Sequence, residues 1–328
     1  MSNKEKTFLS GVKPTGRPHI GNYFGAMKQF VDLQKEYQGS IFIADLHALT
    51  SVQNAKELHQ HIVDVALDYL AIGIDPKQTL IYKQSDAPQV AELAWIFNCI
   101  TTMPYLMRAH AFKDAEAKNK EINVGIFDYP LLMAADILIR DPDVVPVGAD
   151  QKQHVEIARD TAEKFNRIFG ETFKMPQPLI LEQVQTIPGI DGLKMSKSYK
   201  NTIPLFATDA EIKDAVMAIK TDSKGVEDIK DPETDNVFAF HKLFSEGPEF
   251  EDVRERYESG GIGYKESKEI LIKNITDYIA PFREKRAELE KDINSVMNIL
   301  EEGGKKARKE AEEKMDDVRS KIGVSLSK

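Results

Sequence analysis

Between residues 6 and 86 the chain alternates short apolar runs with stretches of helical period, and this alternation narrows the possible folds more than any other feature. "KTFLSGV" (6–12) stops at Gly11 and reads as a strand. "YFGAMKQFVDLQKEY" (23–37) sets Phe24, Met27, Phe30 and Val31 at helical spacing. "SIFIADLHALT" (40–50) reads as a second strand ending in Asp45 and His47, the stretch 55–74 as an amphipathic helix, and "TLIYKQSD" (79–86) as a third strand. Strand, helix, strand, helix, strand is the pattern of a parallel sheet with crossover helices.

The middle of the chain is mostly helical. Segments 88–106 and 129–140 are apolar on more than one face, which predicts burial in a core or a subunit interface. A short strand at 143–151, running into a Gly turn, and a helix at 152–169 restore the alternation. From about residue 205 only helical patterns remain. The expected architecture is α/β: a Rossmann-like parallel-sheet nucleotide-binding domain with a helical insertion (1–204), then an all-helical domain (205–328) whose final helices can pack back on the first.

Composition sets the limits. The 328 residues suffice for one large or two medium domains, and 41% hydrophobic with 30% charged residues is ordinary for a soluble globular protein. No apolar run approaches the roughly eighteen residues of a membrane span, and the first residues lack the apolar core of a secretory signal. A single cysteine, Cys99, excludes an intramolecular disulfide and any cysteine-based zinc cluster. These features point to the cytoplasm. The net charge of −9 does not attract nucleic acid, so RNA binding would need local basic patches.

Two loops carry chemistry. "KPTGRPHIGN" (13–22) lies between the first strand and the first helix, beyond the carboxyl end of a parallel strand where ligands bind. Gly11, Gly16 and Gly21 let backbone approach a ligand, the helix N-terminus suits phosphate, and His19 and Asn22 add donors. The spacing fits neither a P-loop nor GxGxxG. "LKMSKSYKN" (193–201) holds three lysines and two serines with no acid among them, and follows Asp191-Gly192. It reads as a solvated turn or as an anion site.

His19-Ile20-Gly21-Asn22 resembles the "HIGH" signature of class I aminoacyl-tRNA synthetases, with Asn in the last place. Lys194-Met195-Ser196-Lys197-Ser198 matches their second signature, "KMSKS", in the required order. Segments 10–26, 129–138, 145–166, 194–203 and 221–223 are similar to the bacterial tryptophanyl-tRNA synthetases. The resemblance implies activation of L-tryptophan by ATP and its transfer to tRNA(Trp). It also implies a homodimer, Mg²⁺ carried on the ATP phosphates with no metal site of the protein's own, and no membrane or DNA partner.

It further implies roles. The first loop, with Lys13, Pro14, Thr15, His19, Gly21 and Asn22, would hold ATP phosphates and adenine. Lys194 and Lys197, with His19, would be catalytic, neutralising the departing pyrophosphate, and Met195, Ser196 and Ser198 would complete that loop. Gly148, Ala149 and Asp150 would hold the ribose, and Ile187 would line the adenine site. Asp136 sits in the apolar helix "LLMAADIL", where an unpaired carboxylate is costly. It is either a structural aspartate or the acceptor for an indole N–H, the one polar atom of a tryptophan side chain. Met133 would face the ring, Tyr129 and Gln151 would hold the amino acid's ammonium and carboxylate, and His47 would close the pocket.

The chain departs from the family at Leu9, where an aromatic is common, at Ala149, where Glu is common, and within "AHAFKD" (109–114), which lacks a common Gln. The helical domain is the expected anticodon reader. "KKARK" (305–309) is either a phosphate contact or a solvated helix face. Rival readings are the tyrosine enzyme of the same subclass, a metabolic adenylyltransferase, and a synthetase-like protein without turnover.

Overall fold

The structure, a computed structural model, describes residues 6–109, 112–113, 116, 122–148, 151–180 and 187–326. The described residues fall into two compact units, one within 6–16, 29–180 and 289–326 and the other within 17–28 and 187–288.

The first unit is built on five parallel strands: β1 (Thr7–Val12), β2 (Gln38–Ile43), β3 (Thr79–Lys83), β4 (Val144–Pro146) and β5 (Gln177–Leu179), in the order β3-β2-β1-β4-β5. Reversal of direction at β1 is the doubly wound pattern. β1 contributes Phe8 and Leu9 to the interior, and β2 contributes Ile41 and Ile43. Helices Gln89–Ile100, Val124–Arg140 and Lys152–Phe169 close over the sheet through Leu93, Phe97, Leu131, Leu138, Val155 and Phe165. Leu9 is a core residue 1% exposed.

Three strands are shorter than their apolar runs. β2 ends at Ile43, and Asp45–Ala48 is a single helical turn, so His47 stands on a helix rather than a strand end. β3 ends at Lys83 and passes into a 3₁₀ turn, Gln84–Asp86. β4 spans Val144–Pro146 only. The 88–106 segment breaks between Ile100 and Met103.

The compact units do not follow chain order at 204/205, and the final helix packs back on the sheet unit as the expected division allowed. The last helix, Ile293–Ile322, belongs to the sheet unit. Its Ala307, Ala311, Met315 and Val318 are fully buried in that core. At Gly303 the helix lies so close to β3 that a Cβ would overlap the Ile81 carbonyl oxygen. Arg319 pairs with Glu92 at 2.7 Å, and Arg308 donates to the Asp86 carbonyl at 2.8 Å. Conversely residues 17–28, early in the chain, join the helical unit. The units cross sequence order because apolar faces pair without regard to it.

The second unit contains helices Asp209–Met217, Asn236–Phe244, Gly247–Ser259 and most of Tyr264–Lys291. Phe238, Val253, Tyr257 and Ile262 form one core cluster. Tyr23 and Phe24 join Phe244, Tyr278 and Phe282 in an aromatic group with centroids 5.1–6.2 Å apart. His241 is fully buried, and its imidazole bonds Ser245 at 2.7 Å and Ser267 at 3.1 Å. Burial drives its pKa down to about 4, so it is neutral at pH 7.

Candidate functional site

The two signatures, His19–Asn22 and Lys194–Ser198, lie in the second unit, and the segments that carry them are joined by backbone. Ile20 donates to the Ile203 carbonyl at 3.0 Å and Leu205 donates to Pro18 at 2.9 Å, with His19 opposite Pro204. Arg17 adds an ion pair to Glu211 at 2.9 Å.

His19 caps the helix that begins at Ile20. Its Nδ1 accepts from the Asn22 N–H at 3.2 Å, and Asn22 Oδ1 accepts from the His19 N–H at 3.1 Å. This reciprocal pair is a capping box. Burial, and then the Lys197 charge, lower the His19 pKa to about 4. A neutral imidazole that accepts at Nδ1 carries its proton on Nε2. The ring therefore offers one N–H donor and no charge. Gly21 is required by packing, since a Cβ there would stand 2.9 Å from His19 Nδ1 and 3.3 Å from Met195 Cβ.

The second loop is organised by Asn201, which is 2% exposed. Asn201 accepts from Ser196 N at 2.8 Å and donates to Asp191 at 2.7 Å and to the Lys194 carbonyl at 3.1 Å. Met195 is buried, and its N–H donates to the Ile187 carbonyl at 3.0 Å. Ser196 Oγ caps the 3₁₀ turn Lys197–Tyr199, accepting from Ser198 N. Lys194, Lys197 and Ser198 are exposed. Ile187 is buried beside this loop.

The sheet unit carries a second cluster at the carboxyl ends of β2 and β3. Asp136 is 3% exposed inside the Val124–Arg140 helix. His47 Nε2 lies 2.9 Å from Asp136 Oδ2, and Gln84 Nε2 donates to both carboxylate oxygens at 2.9 Å. Burial raises the Asp136 pKa, while the hydrogen bonds from His47 and Gln84 oppose that shift. Tyr129 lies on the same helix, its ring 6.2 Å from His47 and its hydroxyl 3.1 Å from His154 Nε2. Met133 is half-buried against the core one turn before Asp136. Lys13 donates to Thr50 Oγ1 at 2.8 Å, and Thr50 donates to the His47 carbonyl, so the first loop's start is fastened beside His47. Burial lowers the Lys13 pKa. Pro14 is buried and Thr15 exposed.

Gly148 accepts from Gln151 N at 2.9 Å, and Gln151 opens the helix Lys152–Phe169 on an exposed turn. Ala149 and Asp150, the expected ribose contacts, lie outside the described residues. The 305–309 cluster sits on the last helix of the sheet unit. Its charges are met locally: Lys305 by Glu301 and Glu302, Lys309 by Glu313. That favours the solvated-face reading. Sequence reasoning missed Gln84, His154 and Asn201, all buried polar residues in segments whose period gives them no distinction.

Among the described residues no helix is long and apolar enough to cross a membrane, and no group of three or more His, Cys, Asp or Glu is placed to hold a metal.

Comparison with known proteins gives the family. A family of class I tRNA synthetases (W and Y) matches residues 1–279. The tryptophan–tRNA ligase of Rhodopirellula baltica is 48% identical over 96% of this chain and 99% of its own length. That of Fusobacterium nucleatum is also 48% identical, over 97% and 98%. The crystal structure of Campylobacter jejuni tryptophanyl-tRNA synthetase complexed with ADP and tryptophan superposes with a TM-score of 0.90 at 45% identity, covering 97% of this chain and 99% of that one. With both signature loops present and nearly all of its length matched by tryptophan–tRNA ligases, the chain belongs to the class I tRNA synthetases of the tryptophan and tyrosine group, on the tryptophanyl branch.

Proposed function

We propose that the chain is a tryptophan–tRNA ligase: ATP and L-tryptophan give tryptophanyl-adenylate and pyrophosphate, and the tryptophanyl group then passes to tRNA(Trp). The observation that carries this reading is near-full-length identity of 48% to tryptophan–tRNA ligases in a chain that retains both signature loops.

The reaction needs no covalent protein nucleophile. The tryptophan carboxylate attacks the α-phosphorus, and pyrophosphate leaves, so positioning and charge stabilisation supply most of the rate. Lys194 and Lys197 offset the charge that grows on the leaving pyrophosphate, and the Nε2–H of His19 donates to a phosphate oxygen without adding charge. Gly21, Asn22, Met195, Ser196 and Ser198 hold those groups in place. Lys13, Pro14 and Thr15 contribute to ATP binding, Gly148, Ala149 and Asp150 to the ribose, and Ile187 to adenine. The ATP phosphates would carry Mg²⁺, which would offset part of their charge, with no all-protein site needed.

Asp136 accepts the indole N–H, a pairing that rejects side chains lacking that donor. Met133 packs on the ring, His47 closes the pocket, and Tyr129 and Gln151 bind the ammonium and carboxylate. Residues 205–288 form the anticodon-reading part, where splayed single-stranded bases are stacked or hydrogen-bonded. The active species is a cytoplasmic homodimer. The dimer is supported by exposed Trp95 on Gln89–Ile100, Met103 on Met103–Leu106, and Met107 just after it.

Amino-acid-dependent ATP–pyrophosphate exchange tests the reading. Tryptophan supports exchange and tyrosine does not. Exchange with tyrosine alone, or with neither, would overturn it.

A further inference from the structure

Gln84 has no place in the roles above, yet it joins two of the residues assigned to the indole. It is 1% exposed, in the 3₁₀ turn that follows β3. Its Oε1 accepts from the backbone N–H of Leu46 at 3.1 Å and of His47 at 3.3 Å. These are N–H groups at the start of the Asp45–Ala48 helix, which the helix itself cannot satisfy. Two donors facing Oε1 fix the sense of the amide, so Nε2 must face Asp136. A flipped amide would set N–H against N–H.

The three residues close a ring. His47 donates its backbone N–H to Gln84, Gln84 donates to Asp136, and Asp136 Oδ2 lies 2.9 Å from the His47 imidazole. The neighbouring turn is braced likewise, with Asp45 Oδ1 accepting from Ser85 N at 3.0 Å and Leu46 N at 2.9 Å. The two carboxylate oxygens of Asp136 are left unequal. Oδ2 is met by Gln84 and His47, Oδ1 by Gln84 alone. An ionised carboxylate offers two acceptor positions on each oxygen. One position on Oδ1 is therefore uncommitted, and tryptophan brings one ring N–H.

We infer that Gln84 is a positioning residue for substrate specificity: it holds the Asp136 carboxylate as a fixed acceptor whose Oδ1 demands one donor from the bound ring. The inference rests on the reading of Asp136 as the indole acceptor. Removing Gln84 leaves a buried carboxylate with one donor fewer. Such a group turns or takes up a proton, and in either state it no longer penalises a ring without an N–H.

The test compares two substrates on the same preparations: tryptophan, and the alanine derivative in which sulfur replaces the ring N–H (a benzothiophene). The reading is kcat/KM for pyrophosphate exchange. Gln84→Met removes both hydrogen-bonding ends at similar volume. Gln84→Glu keeps the oxygen that accepts from Leu46 and His47, and loses the donor to Asp136. The preference for tryptophan over the analogue falls by at least about tenfold in both variants, the effect of losing one hydrogen bond to a charged group. The ratio is independent of the fraction of folded enzyme, so Gln84→Glu remains informative if Gln84→Met folds poorly. A purely structural role lowers both kcat/KM values by a common factor. An unchanged ratio in either variant therefore overturns the inference. If the wild-type chain shows no exchange with tryptophan, the functional reading fails and this inference fails with it. If the wild type exchanges and discriminates while the variants do so equally well, only the role of Gln84 fails.

Discussion

His19 and Asn22 cap each other: the imidazole Nδ1 takes the Asn22 N–H at 3.2 Å, and the Asn22 amide oxygen takes the His19 N–H at 3.1 Å. The backbone N–H at the last place of the first signature thus sets the tautomer of its first residue, and the Asn22 side chain anchors the backbone that carries the ring. Asn22→Ala keeps the N–H that meets Nδ1 but removes the acceptor of the His19 N–H, at about 1 kcal/mol of local stability. The His19 backbone, and the ring with it, loses that anchor. Adenylate formation in single turnover slows by about tenfold, as expected when one oriented donor is lost, while tryptophan binding holds. A rate equal to wild type would show that the box has no part in ATP positioning.

The two signature lysines act on charge that appears as pyrophosphate leaves. Lys194→Ala and Lys197→Ala each slow adenylate formation by about a hundredfold, the usual scale for removing an oriented electrostatic stabiliser. The tryptophan dissociation constant changes little. Rapid-quench measurement of adenylate, with fluorescence titration of tryptophan, separates the two effects. Unchanged single-turnover rates in both variants return 193–201 to an ordinary basic turn.

Buried neutral histidine makes the helical unit sensitive to acid. His241 titrates near 6.5 when unfolded and is depressed to about 4 in the fold, with desolvation the main cause. The unfolded chain therefore binds a proton first as pH falls. Stability is complete above about pH 6.5 and declines toward pH 4. Urea-unfolding midpoints taken between those limits decline in the wild type and decline less in His241→Gln, which has no titrating group there. Equal slopes in the two proteins would remove His241 as the source.

Gly303→Ala destabilises the sheet unit by about 2 kcal/mol, because the methyl group meets the Ile81 carbonyl and the helix must lift. Lys306→Ala, an exposed change on the same helix, stays within about 0.5 kcal/mol. Denaturant midpoints distinguish the two. Equal midpoints would mean that the helix is not seated on β3 in solution.

Much of this was legible in the sequence. Strands β1 to β3 and the long helices follow from hydrophobic period, because burial on one face leaves a repeat. The signature loops follow from residue identity. What escaped has a common cause: it depends on contacts between distant segments. β5 is three residues long, too short for a period. His47 leaves the strand because its N-terminal helical turn finds an acceptor on Gln84, thirty-seven positions away. The membership of 17–28 in the helical unit depends on which apolar face that segment meets. Asn201 reads as a loop residue until its three partners are seen.

β3 is the outermost strand on its side of the sheet, and the helix Ile293–Ile322 is what lies against it. During synthesis the strands emerge before that helix. Until Ile293–Ile322 has left the ribosome, an apolar strand edge stands uncovered, the kind of surface that pairs with other chains. Translation that stops short of Ile293 would release the sheet without its cover and prone to aggregate. The cell's exposure to that hazard is set by how quickly this helix is delivered.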